Sequence, residues 1–593
     1  MMRALSLLAF AAFSTPAFAA DAPAVLAATA SPIIVQGQFR VNSPMPKVMA
    51  PADRATYRRI FTAIRDGRYA EATAALDAMP SDGLLTATAR AELWLATGAP
   101  RPAADAIAGW LTTNTGFPQT DNIAALARQM GVAGAPAPLQ RQSLLPIGQT
   151  AREKPRAARA DAIATAFVAQ VRPLLAADRA ADAEALLDST DVDRDTRTEW
   201  RQRIAWSWYL TGDDANASRL GAKAAEGEGE WAAMGDWVAG LAAFRSGDYP
   251  RAAIHFTRVA AAAHSDDLAA AGQFWSARAL TASGQPQQVS ARLRAAARYD
   301  ESFYGLLARR LLGLELPGRP PRPDFLTADW KHVADLPAAR RAAALAEIGE
   351  LGLADREMRW LAITGQPGDH VALTYLAAKL NLPATQYWLS HNAPRGVVPP
   401  AATRYPAPEW EPSRGWRVDR SLVYAHALQE SRFVTDARSR AGARGIMQLM
   451  PGTARHVAAA MRLTNAEDRL TDPAFNIECG QTYLEELRDS PWTSGLLLKV
   501  IAAYNAGPGS VKKWNEGLRD NNDPLLFIES IPFAETRHYV EVVMRNYWMY
   551  QQGDGATASS LDALAQGLWP RFPGLPGKTA VRIDASRETA SAD

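Results

Sequence analysis

Cysteine is almost absent from this sequence, since Cys479 is the only one in 593 residues. An intramolecular disulfide is therefore excluded, and the folded state must rest on packing. Cys479 lies in the helix-like stretch 476–484. A single cysteine in such a stretch is more often a small buried hydrophobe than a reactive thiol. We find no Cys/His pairing typical of a thiol nucleophile.

The sequence also lacks an excess of either charge. Its 64 Lys and Arg residues and 62 Asp and Glu residues leave a net charge of +2. This balance gives no electrostatic case for binding nucleic acid or an anionic membrane surface. The sequence contains neither a His-Glu-x-x-His metal motif nor a Gly-rich phosphate loop. We therefore expect neither a metal nor another cofactor.

Long apolar runs are missing, apart from a short one at the N-terminus. Arg3 precedes the apolar core Ala4–Phe13, and Ala17-Phe-Ala19 has the small-x-small form of a cleavage site. This pattern predicts a cleavable secretory signal over residues 1–20. No other segment is long and apolar enough to span a bilayer. No cysteine lies near the cleavage site, so we expect a soluble secreted protein without a lipid anchor.

Strand signals are scarce beyond Pro32–Gln36, which lies in an extended N-terminal segment over 21–50. From 51 to 393 the sequence predicts helix after helix. A small-residue turn recurs before Ala- and Leu-rich segments, at Gly67, Gly212, Gly247 and Gly284. Glycine suits a helix C-terminus, where the backbone needs a positive φ. This degenerate repetition is typical of tetratricopeptide-like helical hairpins.

A Pro-rich stretch over 394–409 interrupts the helical pattern and predicts a linker. A compact domain is expected from 410 to 552. The last segment, 553–593, is rich in Ala, Ser, Gly and Pro, so we expect a poorly ordered low-complexity tail.

Glu430 is the candidate catalytic residue of the 410–552 domain. The segment Ser421–Phe433 has helical spacing, and Glu430 shares one face with Val423 and Ala427. A carboxyl group held among apolar side chains has a raised pKa and can act as a general acid. The alternative is a solvated glutamate on an ordinary helix.

A glycine- and methionine-rich turn follows this helix. Gly442 and Gly445 permit tight turns, and Pro451 begins the next predicted helix. Met447, Leu449 and Met450 supply either an adaptable apolar lining or plain core.

Two further elements supply polar candidates. The apolar helix starting at Leu496 ends at Asn505-Ala-Gly-Pro-Gly, so Tyr504 and Asn505 lie at a helix end. Their side chains either face a cleft, or Tyr504 is a core residue and Asn505 a capping residue. In Ser530–Val540, Glu535 and Arg537 either bind a polar substrate or pair with other charges. His538 is expected to be structural.

In this order, the motifs Glu430-Ser431, Gly442–Ala454, Ala503–Gly507 and Ile531–Val540 resemble those of the soluble lytic transglycosylase family. The resemblance implies an all-α fold: a U-shaped helical superhelix followed by a C-terminal domain similar to goose-type lysozyme. It also implies a periplasmic enzyme that acts on peptidoglycan glycan strands and muropeptides. A monomer is expected, and any cell-wall synthesis or division partner stays unspecified.

The resemblance also assigns roles to residues. Glu430 would be the catalytic acid and base, Tyr504 would hydrogen-bond near it, and Ser439 would approach the N-acetyl group of the substrate. Glu535 would hold the amino group or the peptide side of the muropeptide. The other residues expected to contact substrate are Ser431, Met447, Gln448, Met450, Asn505 and Arg537.

The implied reaction cleaves the β-1,4 bond between N-acetylmuramic acid and N-acetylglucosamine without water and leaves a 1,6-anhydro end. The sequence departs from the family pattern at Leu428, where arginine is usual, and at Val434-Thr435, where Asn-Pro is common. Two alternatives stay open. One is a hydrolytic muramidase that uses Asp436 as a second carboxylate, and the other is a non-catalytic peptidoglycan-binding scaffold.

Overall fold

The structure is a computed structural model, and it describes residues 47–132, 140–148, 155–159, 161–316, 327–464 and 466–583. The predicted secretory signal and the strand signal at Pro32–Gln36 lie outside these residues.

Helices dominate the described chain, which confirms the all-α prediction. In chain order the first elements are α1 Pro51–Arg65, α2 Tyr69–Asp77, α3 Thr86–Leu95, α4 Ala104–Thr113, α5 Thr120–Gln129, β1 Leu144–Pro146, α6 Ala162–Ala176, α7 Ala180–Ser189, α8 Arg194–Thr211, α9 Asp214–Ala225, α10 Gly229–Arg245, α11 Tyr249–Ala262, α12 Asp266–Ala282, α13 Pro286–Ala296 and α14 Phe303–Leu311. There follow α15 Thr327–Val333, α16 Pro337–Glu347, α17 Leu351–Thr364, α18 His370–Lys379, α19 Pro383–His391, β2 Asn392–Pro394, α20 Arg420–Ser431, α21 Pro451–Ala460, α22 Pro473–Asp489, α23 Leu497–Ala506, α24 Pro508–Gly517, α25 Pro524–Ser530, α26 Ala534–Gly553, α27 Ser559–Ala565, β3 Trp569–Pro570 and β4 Ala580–Val581.

The glycines at the predicted helix turns adopt the expected backbone. Gly67, Gly212, Gly247 and Gly284 have φ values of 73°, 85°, 86° and 73°. These left-handed positions end one helix and let the chain reverse into the next, which confirms the hairpin pattern.

The described chain forms two compact units. One comprises described residues within Gln38–Gly148 and Pro320–Trp410. Its core packs α1 to α3 against α16 to α19, and a buried Arg341–Glu357 ion pair with an N–O distance of 2.8 Å lies within it. Strands β1 and β2 pair antiparallel in the same unit. The Pro-rich segment is packed here too, because Gln386 donates to the carbonyl of the buried Thr403 at 2.9 Å.

The other unit comprises described residues within Gln149–Arg319 and Glu411–Asp593. Helices α9 and α10 approach closely through small residues, since a Cβ on Gly235 would meet the carbonyl oxygen of Gly221 at 2.8 Å. Trp237 and Trp275 fill the core of this helical stack at a ring-centroid distance of 6.4 Å.

Helix α25 fastens this stack to the candidate catalytic segment. Tyr209 of α8 and Ser530 share a hydroxyl–hydroxyl hydrogen bond of 2.8 Å. Tyr304 of α14 donates to the buried Glu529 carboxylate at 2.6 Å. Since Ser530 directly precedes Ile531–Val540, the helical stack helps to position the last candidate motif.

The prediction of a poorly ordered tail is wrong for 553–583. Leu561, Leu564 and Trp569 are buried, and strand β3 pairs antiparallel with β4. The Trp569 indole donates to the carbonyl of Asn522 at 2.8 Å, and the Phe572 amide donates to the carbonyl of Gly495 at 2.8 Å. The composition of the segment did not reveal these contacts, because a few apolar side chains are enough to pack a segment otherwise rich in small residues against the rest of the unit. Residues 584–593 lie outside the residues that the structure describes.

Among the helices that the structure describes, none combines the length and apolar character needed to cross a membrane.

Candidate active site

Helix α20 carries Glu430 at its C-terminal end. The Asp419 side chain caps the helix by accepting from the Ser421 amide at 2.9 Å. Residues 421 to 428 are all buried, whereas Glu430 in the last turn is half-buried. A buried helix therefore brings one carboxyl group to the edge of the core.

The backbone around Glu430 takes conformations that side-chain-bearing residues rarely adopt. Arg432, Phe433 and Gln448 have φ values of 54°, 63° and 46°. Helix α20 thus ends two residues before the predicted Phe433, because Arg432 turns left-handed. Such conformations persist only where surrounding contacts enforce them, and they concentrate at functional sites.

Two groups outside α20 act on the Glu430 carboxyl. The pKa of Glu430 is raised to about 7. Burial is the largest cause; the Tyr539 hydroxyl lowers the pKa by donating a hydrogen bond, and the negative charge of Glu535 raises it. The Tyr539 hydroxyl lies 2.6 Å from Glu430 Oε1. The carboxyl can therefore hold its proton near neutral pH and release it to a nearby acceptor.

This pKa predicts the alkaline limb of the pH profile. If Glu430 must be protonated to act as an acid, activity should fall about tenfold per pH unit once pH rises well above about 7. Initial rates of turbidity loss from a cell-wall suspension, measured from pH 5 to 9, would check this. An unchanged rate between pH 7 and 9 would contradict it.

Tyr504 lies near Glu430, and its hydroxyl bonds to the loop after α20 and not to the Glu430 carboxyl. Its hydroxyl donates to the carbonyl oxygen of Met447 at 2.9 Å. Burial raises the pKa of Tyr504 well above its ordinary value, and the nearby charge of Glu430 raises it further. Tyr504 thus stays a neutral hydroxyl that joins α23 to the loop after α20.

The loop over 437–450 is held by Asn476 of α22. The Asn476 side chain accepts from the Met447 amide at 2.9 Å and donates to the carbonyls of Arg444 at 3.1 Å and Leu470 at 2.9 Å. Gly445 has a φ of 77°, and a Cβ there would collide with the Leu470 carbonyl. Only glycine therefore fits at position 445, where the loop backbone passes close to Leu470.

The predicted substrate residues in and beside this loop differ in burial and in their contacts. Met447 is fully buried, with its sulfur close to Gly480, so its side chain belongs to the core. Ser431 donates to the Ile446 carbonyl at 2.8 Å and fastens the loop to α20. Gln448 and Met450 stay half-buried, and the Gln448 side-chain Nε2 donates to the Gly445 carbonyl at 2.8 Å.

Ser439 occupies a turn of the same loop. Its hydroxyl oxygen accepts from the Ala443 amide at 3.0 Å, and its own amide donates to the Ala443 carbonyl at 3.0 Å. The side chain is half-buried, and its hydroxyl proton can still be donated to an acceptor.

The start of α26 brings the last motif to the end of α23. Thr536 donates to the Asn505 side-chain oxygen at 2.6 Å, which fixes the orientation of that amide. Glu535 is exposed beside it. Arg537 points elsewhere, because its guanidinium lies 4.4 Å from the ring centroid of Trp206 in α8. The contacts of Arg537 thus join α26 to the helical stack.

The sequence pattern gave Tyr539 no role, although this residue lies within the motif Ile531–Val540. The signal that could have found it is its spacing of four residues from Glu535, which places both on one face of α26. The partner on α20 is 109 residues away in sequence, so only the fold joins Tyr539 to Glu430.

Removal of the Tyr539 hydroxyl should move the pH profile. In Tyr539→Phe, Glu430 loses the hydrogen bond that lowers its pKa, so the alkaline limb should move to higher pH while the rate falls about tenfold. Glu535→Gln is the matched control, because removal of that negative charge should move the limb to lower pH. Shifts in the same direction for both variants would contradict this electrostatic account.

Within the residues described, no group of three His, Cys, Asp or Glu side chains is arranged to hold a metal ion.

Residues 410–526 match the family model described as Transglycosylase SLT domain. A segment of 150 residues is 37% identical to the soluble lytic murein transglycosylase of Escherichia coli K12, and it covers 25% of this chain and 23% of that protein. A segment of 263 residues is 30% identical to the putative soluble lytic murein transglycosylase of Haemophilus influenzae, and it covers 42% of each chain. The chain thus matches less than half the length of these relatives.

Solved structures extend the likeness beyond the SLT domain. The 70 kDa soluble lytic transglycosylase of Escherichia coli superposes with a TM-score of 0.53 at 21% identity, covering 88% of this chain and 75% of that one. An inactive mutant of the lytic transglycosylase Slt from Pseudomonas aeruginosa gives 0.51, also at 21% identity, covering 86% and 83%. These likenesses confirm the predicted fold class, helical hairpins followed by a lysozyme-like α domain.

Proposed function

We propose that this chain is a peptidoglycan lytic transglycosylase and that Glu430 is its catalytic acid and base. The observation that carries the proposal is the half-buried Glu430 carboxyl, with a pKa raised to about 7 and a hydrogen bond from Tyr539, inside a domain of the SLT family. The names of the matched relatives agree with this activity.

The proposed reaction needs one carboxyl group. Glu430 donates its proton to the glycosidic oxygen between N-acetylmuramic acid and N-acetylglucosamine as the C1–O bond breaks. The N-acetyl group of the substrate stabilises the positive charge that develops at C1. The resulting Glu430 carboxylate accepts the proton of the C6 hydroxyl as that oxygen bonds to C1. The two proton transfers balance, and the intramolecular attack benefits from a high effective molarity.

Tyr539 suits both halves of this cycle. Its hydroxyl can stabilise the carboxylate after the first proton transfer, since a hydrogen bond to the charged form favours that form. The pKa of Tyr539 lies well above its ordinary value because of burial and the Glu430 charge, so the hydroxyl keeps its proton throughout.

The substrate-binding roles proposed from the resemblance fit the residues that stay accessible. Ser439 can donate to the N-acetyl oxygen, and Asn505 is oriented by Thr536 to meet a polar sugar group. Glu535 is exposed and can hold an amino group of the muropeptide. Gln448 and Met450 would line the glycan subsites, whereas the buried Met447 would contribute through its backbone.

Product analysis tests this function directly. The full chain would be incubated with purified peptidoglycan, and the soluble products would be examined by mass spectrometry. Products with 1,6-anhydromuramic ends, one water lighter than reducing ends, are expected. Reducing ends alone would favour the hydrolytic alternative with Asp436, which is exposed six residues after Glu430. An absence of soluble products would favour the non-catalytic scaffold.

We further propose that the enzyme works in the periplasm and releases products from glycan chain ends. Short anhydro products from the earliest times would agree with release from chain ends. Long fragments that shorten later would indicate internal cleavage instead.

A further inference from the structure

His426 lies one helical turn before Glu430, beneath the candidate acid. It is completely buried. Its ring centroid lies 4.9 Å from that of Tyr504 and 6.1 Å from that of Tyr539. Because Tyr539 donates to Glu430, His426 packs against the groups that surround the acid.

One ring nitrogen of His426 has a fixed role. Nδ1 lies 2.9 Å from the carbonyl oxygen of Leu422, one turn earlier on α20. A carbonyl oxygen only accepts hydrogen bonds, so Nδ1 must carry the proton. Burial lowers the pKa of His426 to about 4, so the ring is neutral near pH 7 and Nε2 bears a free lone pair.

Among the described residues, the lone pair on Nε2 lacks a donor. Nε2 is shielded from solvent and has no hydrogen-bond partner within the part of the chain that the structure describes. A buried acceptor without a donor is costly, so a residue needed only for packing would be better replaced by an apolar side chain. The nitrogen therefore points to a use in the working enzyme.

The neighbours of His426 limit what that use can be. The titratable groups around it are Glu430 on its own helix, Tyr504 on α23 and Tyr539 on α26, with Tyr483 of α22 packed behind Tyr504 at 5.5 Å. Tyr539 already donates to Glu430. The Tyr504 hydroxyl donates to a backbone carbonyl and belongs to the nearer of the two tyrosine rings.

We propose that His426 is a positioning residue for the acid. Its ring holds Tyr504 and Tyr539 in place beside Glu430, and Nε2 is a second acceptor for the Tyr504 hydroxyl. This inference rests on the proposed function. With two acceptors, Tyr504 stays in place when the Met447 carbonyl bonds to a sugar N–H or O–H.

Two variants separate hydrogen bonding from packing. His426→Gln keeps an acceptor near the position of Nε2, whereas His426→Leu fills similar volume without one. We expect His426→Leu to lower kcat about tenfold on soluble glycan strands with little change in KM, and His426→Gln to retain most of kcat. Equal activity of His426→Leu and the wild type, or an equal loss in both variants, would overturn the proposal.

Nitrogen-15 NMR of histidine-labelled full-length protein tests the same point without activity. The His426 signals would be assigned by their absence from His426→Gln. We expect a protonated Nδ1 and an unprotonated Nε2 whose signal moves in Tyr504→Phe. An Nε2 signal indifferent to Tyr504→Phe, with glycan strands present and absent, would overturn the proposal. An inactive wild-type protein that shows the expected signals would overturn the proposed function, while the contact between His426 and Tyr504 would stand.

Discussion

Glu430→Gln should reduce lytic activity on peptidoglycan by about 10²- to 10⁴-fold, the range that a positioned general acid contributes. The amide has the shape of the carboxyl group and can still accept the hydrogen bond that the Tyr539 hydroxyl makes to Glu430 Oε1 at 2.6 Å. It cannot donate an acidic proton to the glycosidic oxygen. The variant should therefore fold normally and bind glycan strands while failing at the chemical step.

Asp436→Asn is the matched control for this prediction. Asp436 is exposed and lies on the loop that follows the same helix. If Glu430 alone moves the proton, Asp436→Asn should keep activity within about threefold of the wild type, as expected for a surface change outside the chemical step. A loss in Asp436→Asn as large as that in Glu430→Gln would require two carboxylates and hence hydrolysis. Full activity of Glu430→Gln would contradict the proposed mechanism.

The local sequence pattern was sufficient to predict features that depend on a single helix or turn. The period of apolar residues placed Glu430 on a partly buried helix, and the turn glycines predicted positive φ values at Gly67, Gly212, Gly247 and Gly284. The apolar segment before Tyr504 is a buried helix, and Cys479 is fully buried. Each of these features depends on contacts and propensities within a short stretch of chain.

Local pattern failed where distant residues meet. Tyr539 touches Glu430 across 109 positions, and Arg537 rests on Trp206 of α8. Methionine is a residue type that suits a binding surface, yet the sulfur of Met447 packs beside Gly480 inside the core. The tail looked disordered because its few anchors, Trp569 and Phe572, are diluted by small residues. Such pairings depend on the fold, and no spacing along the sequence encodes them.

The left-handed residues after Glu430 illustrate a third case. Arg432 and Phe433 have φ values of 54° and 63°, although neither residue type favours that region. Phe433 is buried against Tyr424 at a centroid distance of 5.7 Å, and Ser431 is bonded to the Ile446 carbonyl. Tertiary contacts thus impose a turn that brings the 437–450 loop back toward the acid.

The loop in turn depends on α22, which a partly buried ion pair joins to the chain before α20. Arg417 donates to the Glu478 carboxylate at 2.7 Å, to Thr482 at 2.7 Å and to Glu485 at 2.9 Å. Glu478 is fully buried, and the Arg414 amide also donates to it at 3.1 Å. Because Asn476 on the same helix holds the Met447 amide, this network supports the loop beside Glu430.

Arg417→Met should lower the free energy of unfolding by about 3 kcal/mol, because it leaves the Glu478 charge buried without its cation. We take the low end of the usual range, since the Arg417 side chain is 26% exposed. Urea unfolding followed by tryptophan fluorescence would measure the loss. Arg455→Met is the control, since its pair with Glu467 is exposed and should contribute less than about 1 kcal/mol.

The double variant Arg417→Met/Glu478→Gln separates a buried charge from lost packing. If the cost arises from the unpaired Glu478 carboxylate, its neutralisation should recover a large part of the stability lost in Arg417→Met. If the cost arises from lost contacts of the arginine with Thr482 and Glu485, the double variant should be no more stable than the single one. Because α22 holds the loop beside Glu430, the recovered stability should bring recovered activity. Restored stability without restored activity would show that Arg417 also orients the loop directly.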